Sequence, residues 1–303
     1  MEDLEKKDLK IESIGISELF NIVWNNRKKL SYFILTAIIL SIIYSLNLSN
    51  IYRSSTVLLP LENNNNNLSS GMGELSSFAG LVGFSLDQVG SKPSDEAIKR
   101  IQSYDFFLDY FLPNIQLENL TAVKNWDKKT NKIQYSSVFD AKRKIWKDSK
   151  KPTNQEAFET FKRILFIDEP SRSAFVEVSI DHKSPYIAKK WLDLLIFNIN
   201  ESMRENDKKI SKKSIDFLNE AFSSAGYVEI KKVISSLTEN QMKKYMLASA
   251  NEDYIFKIIE SPIVSEKKFL PNRGLIVIFG TLFGFLVGIL YILVTTFRKK
   301  QDI

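Results

Sequence analysis

Side chains that could perform acid–base or metal chemistry are sparse in this chain of 303 residues. The single histidine, His182, lies between a predicted strand and a predicted helix, and without a partner it is expected in a surface loop. Asp105 and Asp109 are four residues apart and could share a helix face, but no metal-binding group accompanies them. Cysteine is absent, which excludes disulfides and thiolate metal sites. We therefore assign no catalytic, cofactor-binding or metal-binding residue and predict that the protein is not an enzyme.

The sequence also lacks the signatures of a phosphate-binding loop and of a nucleic-acid-binding surface. No GxxxxGK[ST] motif is present, so the chain has no phosphate-cradling P-loop. The net charge is only +6, and basic residues are mixed with acidic ones rather than gathered in a stripe with aromatic residues. Nucleic-acid binding is therefore not expected.

Two uncharged apolar stretches, one near each end, are each long enough to cross a membrane. The first reads "LSYFILTAIILSIIYSLNL", from Leu30 to Leu48, and the second runs from Gly274 to Phe297. About 20 helical residues cross the hydrocarbon core of a bilayer. The alternative is a pair of buried core helices. The first stretch is longer than the apolar region of a signal peptide and no small-residue cleavage site follows it, so we predict a retained anchor.

Positive charges flank the two predicted spans on the same side. Arg27, Lys28 and Lys29 precede the first span, and a basic run at 298–300 follows the second. Because such charges stay on the cytoplasmic side, both termini are predicted to be inside. The predicted organisation is a cytoplasmic tail at 1–29, transmembrane helices at 30–48 and 273–297, a periplasmic domain at 49–272, and a short cytoplasmic tail at 298–303.

The region between the spans mixes strand and helix patterns, which predicts an α+β domain. Strands are indicated at 52–60, 164–167 and 171–181 by β-branched and alternating residues. A helical hairpin is predicted at about 185–250, with Ser184 and Pro185 at its start and Gly226 at its turn. The charged, irregular stretch from 116 to 151 is expected to have weak secondary structure. The fold class is thus an α+β periplasmic domain with a helical hairpin, anchored by two transmembrane helices.

Apolar residues form a stripe along the predicted hairpin. Four of them are spaced four apart on its first helix, and a fifth lies on the second helix: Trp191, Leu195, Ile199, Met203 and Leu237. Such a stripe is either core packing or an interface. Because a long hairpin on a domain tethered at both ends is suited to packing against copies of itself, we predict a homo-oligomer that uses this face.

Three segments resemble the polysaccharide chain-length determinants, the Wzz-type polysaccharide co-polymerases. They are "ISELFNIVWNNRKKL" before the first span, "SIDHKSPYIAKKWLDLLIFNINE", and "LTENQMKKYMLASANEDYIFKIIESPIVSEKKFLPNRGLIVIFG" leading into the second span. The resemblance implies a ring-forming inner-membrane protein of Gram-negative bacteria, with an α/β base and a periplasmic hairpin. It implies a non-catalytic role in lipopolysaccharide biosynthesis, setting the length of O-antigen or related polysaccharide. The implied partners are copies of the chain, a membrane polymerase, membrane lipid and the lipid-linked polysaccharide. The hairpin of this chain looks short for the family.

Glycines recur every fourth residue in the second span, at Gly280, Gly284 and Gly288. Small residues in that pattern leave a groove that lets another helix approach closely. The partner could be the first span, a neighbouring copy or a polymerase helix, and ordinary use of glycine in spans is the simpler alternative. Pro271 and Arg273 mark the start of the span, where the proline is predicted to fix the path of the chain into the bilayer.

Three functions remain open on the sequence. The first is a chain-length regulator that works with a polymerase, and the second is a membrane adaptor of a capsule or exopolysaccharide export system. The third is a structural or stress-sensing membrane protein with no role in polysaccharide assembly. Neighbouring genes for a polymerase and a flippase would favour the first, and genes for an export channel and a kinase would favour the second.

Overall fold

The computed structural model describes residues 16–61, 92–147, 150–170, 174–251 and 253–301. It divides into two units, which we call the helix-pair unit (Met1–Ser49 with Leu270–Ile303) and the sheet unit (Asn50–Phe269). Residues 1–15 of the predicted N-terminal tail and the last two residues of the C-terminal tail lie outside the described residues.

Three helices make up the described part of the helix-pair unit: α1 at Ile16–Asn25, α2 at Arg27–Asn47 and α9 at Arg273–Gln301. Helix α2 and the stretch Arg273–Thr296 of α9 are long and apolar enough to cross a membrane, with mean hydropathies of 1.8 and 2.6. Only 6% and 17% of their most apolar windows are buried. A core helix of a soluble protein would bury most of that surface, so these helices have the exposure expected of lipid-facing segments.

A four-stranded antiparallel sheet organises the sheet unit, in the order β6-β7-β1-β8. Its strands are β1 at Tyr52–Pro60, β6 at Leu165–Asp168, β7 at Val176–His182 and β8 at Phe256–Glu260. Alternate residues of β1 are buried, as the sequence pattern predicts. Two of the buried side chains are polar and bond to the chain that carries and follows β8, because Ser54 Oγ donates to the Ile263 carbonyl and Thr56 Oγ1 to the Glu260 carbonyl.

The helices of the sheet unit pack on this sheet and extend beyond it. They are α3 at Pro93–Ile101, α4 at Tyr104–Phe106 with a π-helical continuation at Phe107–Phe111, α5 at Leu117–Thr121, α6 at Asn154–Ile164, α7 at Pro185–Ser224 and α8 at Val228–Ala250. Helix α7 has 40 residues, so it is about 60 Å long at 1.5 Å per residue. Helices α7 and α8 form an antiparallel hairpin, in which Lys244 contacts Asp207 across the pair at 2.9 Å.

The expectation of weak secondary structure between 116 and 151 is wrong. This stretch contains two small hairpins, β2 at Val123–Asp127 with β3 at Lys132–Tyr135, and β4 at Phe139–Asp140 with β5 at Ile145–Trp146. Their turns follow aspartates whose side chains accept backbone N–H groups two residues on, at Lys129 and Lys142. The Phe139 ring contacts the Tyr135 ring of the first hairpin and the Trp146 ring of the second. Local turn chemistry thus gives order to a polar segment that has little apolar periodicity.

The apolar stripe of the hairpin faces the core of its own chain, which corrects the predicted oligomer face. Trp191, Leu195, Ile199 and Met203 are only 0–3% exposed and belong to one buried cluster with the sheet and the π-helical segment. These four side chains cannot contact a second copy while the unit is folded. The periodicity correctly indicates burial, but burial by the same chain. Leu237 is half-buried on α8, and its place in an interface stays a prediction.

Aromatic rings form the densest part of this core. Phe161 of α6 is fully buried, and its ring centroid lies 4.5 Å from that of Phe111 and 5.3 Å from that of Phe107. Phe111 in turn meets the Trp191 ring edge to face at 5.8 Å. These contacts join α6 and α7 through the π-helical segment, so the core depends on ring packing as well as on buried area.

Replacement of Phe161 by alanine should therefore destabilise the sheet unit by about 3–5 kcal/mol, since it leaves a cavity among fixed rings. The measurement is denaturant unfolding of the full-length protein in detergent, followed by tryptophan fluorescence. Phe197→Ala is the matched control, because Phe197 is 66% exposed on α7. Equal destabilisation by the two substitutions would contradict the packing described here.

Candidate functional site

The three glycines of α9, Gly280, Gly284 and Gly288, lie against α2 in the same chain. A Cβ atom placed on Gly284 would lie 2.3 Å from the Ala37 Cβ, and one placed on Gly280 would lie 1.8 Å from the Ser41 Oγ. Real Cβ atoms do not approach other atoms so closely, so the two helices can adopt this spacing only because glycine stands at these positions.

The contact continues toward the other end of the helix pair, where it is less strict. A Cβ placed on Gly288 would lie 2.8 Å from the Leu30 Cδ1, the flexible end of a side chain that can move aside. One turn further along α9, the Tyr291 ring lies 5.0 Å from the Phe33 ring. Gly284 is thus the most constrained of the three positions, because its neighbour is the Cβ of an alanine.

The glycine groove is filled within one chain, which bears on its other possible partners. A neighbouring copy or a polymerase helix could enter the groove only if α2 left it. The large side chains on the remaining surface of α9 are exposed, among them Phe279 at 65% and Phe283 at 69%. In a bilayer, that aromatic surface is open to lipid or to another membrane helix.

The start of α9 follows Pro271 closely. The Leu270–Pro271 peptide bond is cis, and α9 begins two residues later at Arg273. Between them, the Asn272 Oδ1 accepts the Leu275 N–H at 3.4 Å, in the manner of a helix N-cap. Asn272 was not singled out from the sequence, although an asparagine just before an apolar helix is a recognisable capping signal.

An arginine clamp closes the end of the sheet unit from which the chain leads to α9. Arg53 of β1 donates from Nε and Nη2 to the two carboxylate oxygens of Asp181 of β7, at 2.6 and 2.8 Å. The same guanidinium lies over the Phe269 ring at 3.7 Å and the Phe166 ring at 4.5 Å. Beside it, the Phe269 N–H donates to the Ile51 carbonyl at 2.8 Å. The clamp joins segments far apart in the sequence, so no local pattern could reveal it.

His182 is a buried strand residue, which corrects the expectation of a surface loop. It is 7% exposed at the end of β7, with its ring 4.9 Å from that of Trp191. Its Nδ1 accepts the Ser184 N–H at 2.9 Å, which places the ring proton on Nε2, 2.9 Å from the Asn119 carbonyl that accepts it. Burial lowers the pKa of this imidazole, so the ring is a neutral structural link rather than an acid or base.

Two polar links attach α7 to the segment that leads into β8. The Asn200 Oδ1 accepts the N–H groups of Ile255 and Phe256 at 2.9 Å, and its Nδ2 donates to the Phe256 carbonyl at 3.0 Å. The Tyr254 hydroxyl donates to Asp207 at 2.6 Å. Burial and this hydrogen bond raise the pKa of Tyr254 well above its ordinary range. A displacement of α7 would therefore move β8.

The described residues contain no group of three or more side chains suited to holding a metal ion. Asp105 and Asp109, the acidic pair singled out in the sequence, are both exposed on the surface of the α4 region. The described residues instead form a helix pair spaced by glycines, and a sheet unit with a clamped end and a long hairpin.

These features define the class of protein: the chain carries a unit of mixed helix and sheet, and it has one long apolar helix near each terminus. Residues 12–109 match the family model described as chain length determinant protein, Wzz. The match includes α2, β1 and α3, and it confirms the resemblance to the Wzz-type polysaccharide co-polymerases. No curated protein matches the chain.

Two solved structures are similar to this chain at low sequence identity. One is a full-length bacterial polysaccharide co-polymerase, with 11% identity, a TM-score of 0.40 and coverage of 94% of this chain and 99% of the other. The second is a fragment of WzzB, a polysaccharide co-polymerase from Salmonella Typhimurium, with 9% identity, a TM-score of 0.31 and coverage of 73% and 100%.

The buried histidine predicts that the free energy of unfolding falls with acidification. Above its ordinary pKa of about 6.5, His182 is neutral in both the folded and the unfolded chain. Below that pH the unfolded chain takes up the proton first, because burial lowers the pKa in the folded state. Stability should therefore be lost as the pH falls from about 6.5 toward the lowered folded pKa.

Denaturant unfolding between about pH 7.5 and 5 measures this effect, above the range in which most carboxylates titrate. His182→Gln, which cannot be protonated, should show a flatter profile over that window even if it is less stable throughout. Since the chain has only this one histidine, an unchanged slope in the variant would contradict the assignment.

The helix pair predicts a second outcome, that Gly284→Leu separates α2 from α9. The chain has no cysteine, so Phe33→Cys with Tyr291→Cys gives a clean pair for a short bis-maleimide cross-linker in membranes. Cross-linking should be efficient in the otherwise native chain and strongly reduced by Gly284→Leu. Gly274→Leu is the matched control, because a Cβ on Gly274 meets only the Asn272 Oδ1, at an ordinary 3.6 Å. Equal cross-linking in both variants would refute the close approach.

Proposed function

We propose that this protein regulates the chain length of O-antigen or another surface polysaccharide, as a non-enzymatic oligomer that works with a membrane polymerase. The observation that carries the proposal is the match of residues 12–109 to the chain length determinant family. The two apolar helices and the long hairpin between them support it, since they suit a tethered scaffold.

The proposed location is the bacterial inner membrane, with both termini in the cytoplasm and the sheet unit in the periplasm. The lengths and hydropathies of α2 and α9 support two spans. Arg27, Lys28 and Lys29 at the start of α2 and the basic run at 298–300 support the orientation, because positive charges near spans remain cytoplasmic. The domain boundaries predicted from the sequence are retained as part of this proposal.

The proposed homo-oligomer uses hairpin surfaces other than the buried stripe. Large apolar side chains remain exposed along the hairpin of a single chain, including Ile210 on α7, Tyr227 and Val228 at the turn, and Met246 on α8. Tyr227 and Val228 are 72% and 77% exposed. Contact with neighbouring copies would remove this surface from water, which gives assembly a driving force. Half-buried Leu237 completes the proposed interface.

In this proposal the protein regulates length by positioning the polymerase and its lipid-linked chains. The groove of Gly280, Gly284 and Gly288 holds α2, so the polymerase would contact the aromatic outer surface of α9, around Phe279 and Phe283. The oligomer would keep polymerases and lipid-linked chains together for a limited number of additions. Pro271, just before α9, and Arg273, its first residue, would mark the start of the span, where the proline would fix the path of the chain into the bilayer.

The test is the lipopolysaccharide ladder of a strain that lacks the gene, complemented with single variants. In the wild-type strain the bands should cluster around a preferred polysaccharide length. In the deletion strain polymer should still be made, but its lengths should be spread broadly without a preferred value. Complementation with Gly284→Leu should fail to restore the mode and Gly274→Leu should restore it. Complete loss of polymer would instead indicate the export adaptor, and an unchanged ladder would refute a role in polysaccharide assembly.

A further inference from the structure

We infer that a basic cleft on the hairpin binds an acidic saccharide chain, at a site formed by α3, the π-helical segment, α7 and α8. This inference rests on the proposed role in polysaccharide assembly and adds to it a site and a ligand class. The cleft has a volume of about 530 Å³ and lies wholly within the sheet unit.

The charge of the cleft is predominantly positive. Arg100, Lys208, Lys209 and Lys212 line it, and Glu205 is the one carboxylate among the lining residues. Lys208, Lys209 and Lys212 come from α7 and Arg100 from α3, so two elements supply the positive charge and it is not focused at one point. A spread of cations suits a ligand that carries repeated negative charges better than it suits a single small anion.

Among the described residues, two of these four cations form ion pairs with carboxylates of the same chain, and the other two do not. Arg100 binds Glu96 at 3.0 Å and donates to the Ser202 Oγ at 3.3 Å, and Lys208 binds Glu205 at 2.8 Å. Lys209 and Lys212 are exposed, and within the described part of the chain neither makes an ion pair or a hydrogen bond. They are therefore the cations available to a carboxylate on a ligand.

Aromatic and neutral polar groups make the cleft suited to sugar rings. Tyr110 and Tyr245 line it from different elements, and the Tyr110 ring is steadied by stacking on Phe106 at 5.4 Å. Sugars present flat C–H surfaces that pack on aromatic rings and hydroxyls that bond to polar side chains. Asn206, also in the lining, offers an amide that can donate and accept. A purely electrostatic polyanion site would not need the two rings.

The test is calorimetric titration of the full-length protein in detergent with a defined oligogalacturonide, a sugar chain with one carboxylate per ring. Binding should be saturable and should weaken as salt is added. Lys209→Gln with Lys212→Gln should weaken it by at least about tenfold, because two charged contacts are lost. Tyr245→Ala should also weaken it, since the ring surface is lost.

The matched control is Lys190→Gln with Lys232→Gln, which removes the same net charge from exposed positions of α7 and α8 that do not line the cleft. It should retain affinity to within about twofold, since distant surface charges are screened. If the two double variants lose affinity equally, the binding is a general effect of net charge and the cleft assignment is overturned.

Two further probes separate the features of the ligand. Oligoglutamate carries comparable carboxylates without sugar rings, and a malto-oligosaccharide carries rings without charge. Both should bind at least about tenfold more weakly than the oligogalacturonide, since each lacks one set of contacts. Equal binding of oligoglutamate overturns the saccharide part of the inference, equal binding of malto-oligosaccharide overturns the acidic part, and absence of saturable binding overturns both.

The ladder assay distinguishes failure of this inference from failure of the proposed function. A modal ladder that depends on the gene, together with no oligogalacturonide binding, leaves length regulation standing and refutes the cleft. Saturable binding lost in the Lys209 and Lys212 variant, together with a ladder unaffected by deletion, supports the cleft and refutes length regulation.

Discussion

The position of β1 at the centre of the sheet is the constraint on which the rest of the structure depends. It pairs with β7 on one side and β8 on the other, so the segment that follows α2 is held beside the segment that precedes α9. The Phe269 N–H bond to the Ile51 carbonyl extends this pairing to the last residue before the helix-pair unit. The chain therefore enters the sheet unit at β1 and leaves it after β8, on two paired strands.

The arginine clamp adds side-chain contacts to the backbone pairing of β1. Most exposed ion pairs contribute little to stability, because water screens them and the side chains lose entropy. The pair of Arg53 and Asp181 differs, since it is bidentate and the Asp181 side chain is only 9% exposed. Phe166 and Phe269 then cover the guanidinium and restrict its motion. The end of the sheet unit is thus held by both backbone and side-chain contacts.

The sequence predicted features that depend on residues close together along the chain, and it missed features that depend on contacts between distant residues. Strand β1 was recognisable from its β-branched residues, and the spacing of Gly280, Gly284 and Gly288 indicated a close helix approach without naming the partner. Periodicity also indicated a buried stripe through Trp191, but it does not say which molecule covers the stripe. The sequence misplaces His182 because the Asn119 carbonyl that accepts its Nε2 proton lies 63 residues away. It does not reveal the clamp or Asn200, because the hydrogen-bond partners of Arg53 and Asn200 lie 55 to 128 residues away.

Helix α7 is the element through which the hairpin and the sheet can affect one another. Its first half is packed in the core, where the Asn200 side chain bonds to the backbone of Phe256 in β8, and its second half carries Lys209 and Lys212. Asp207, between these regions, bonds to Tyr254 and to Lys244 of α8. Because these bonds join α7 to the segment that carries β8, a shift of α7 without β8 would break buried hydrogen bonds. A chain that occupied the cleft would contact α7, and through α7 it would act on β8 and on β1, which pairs with β8.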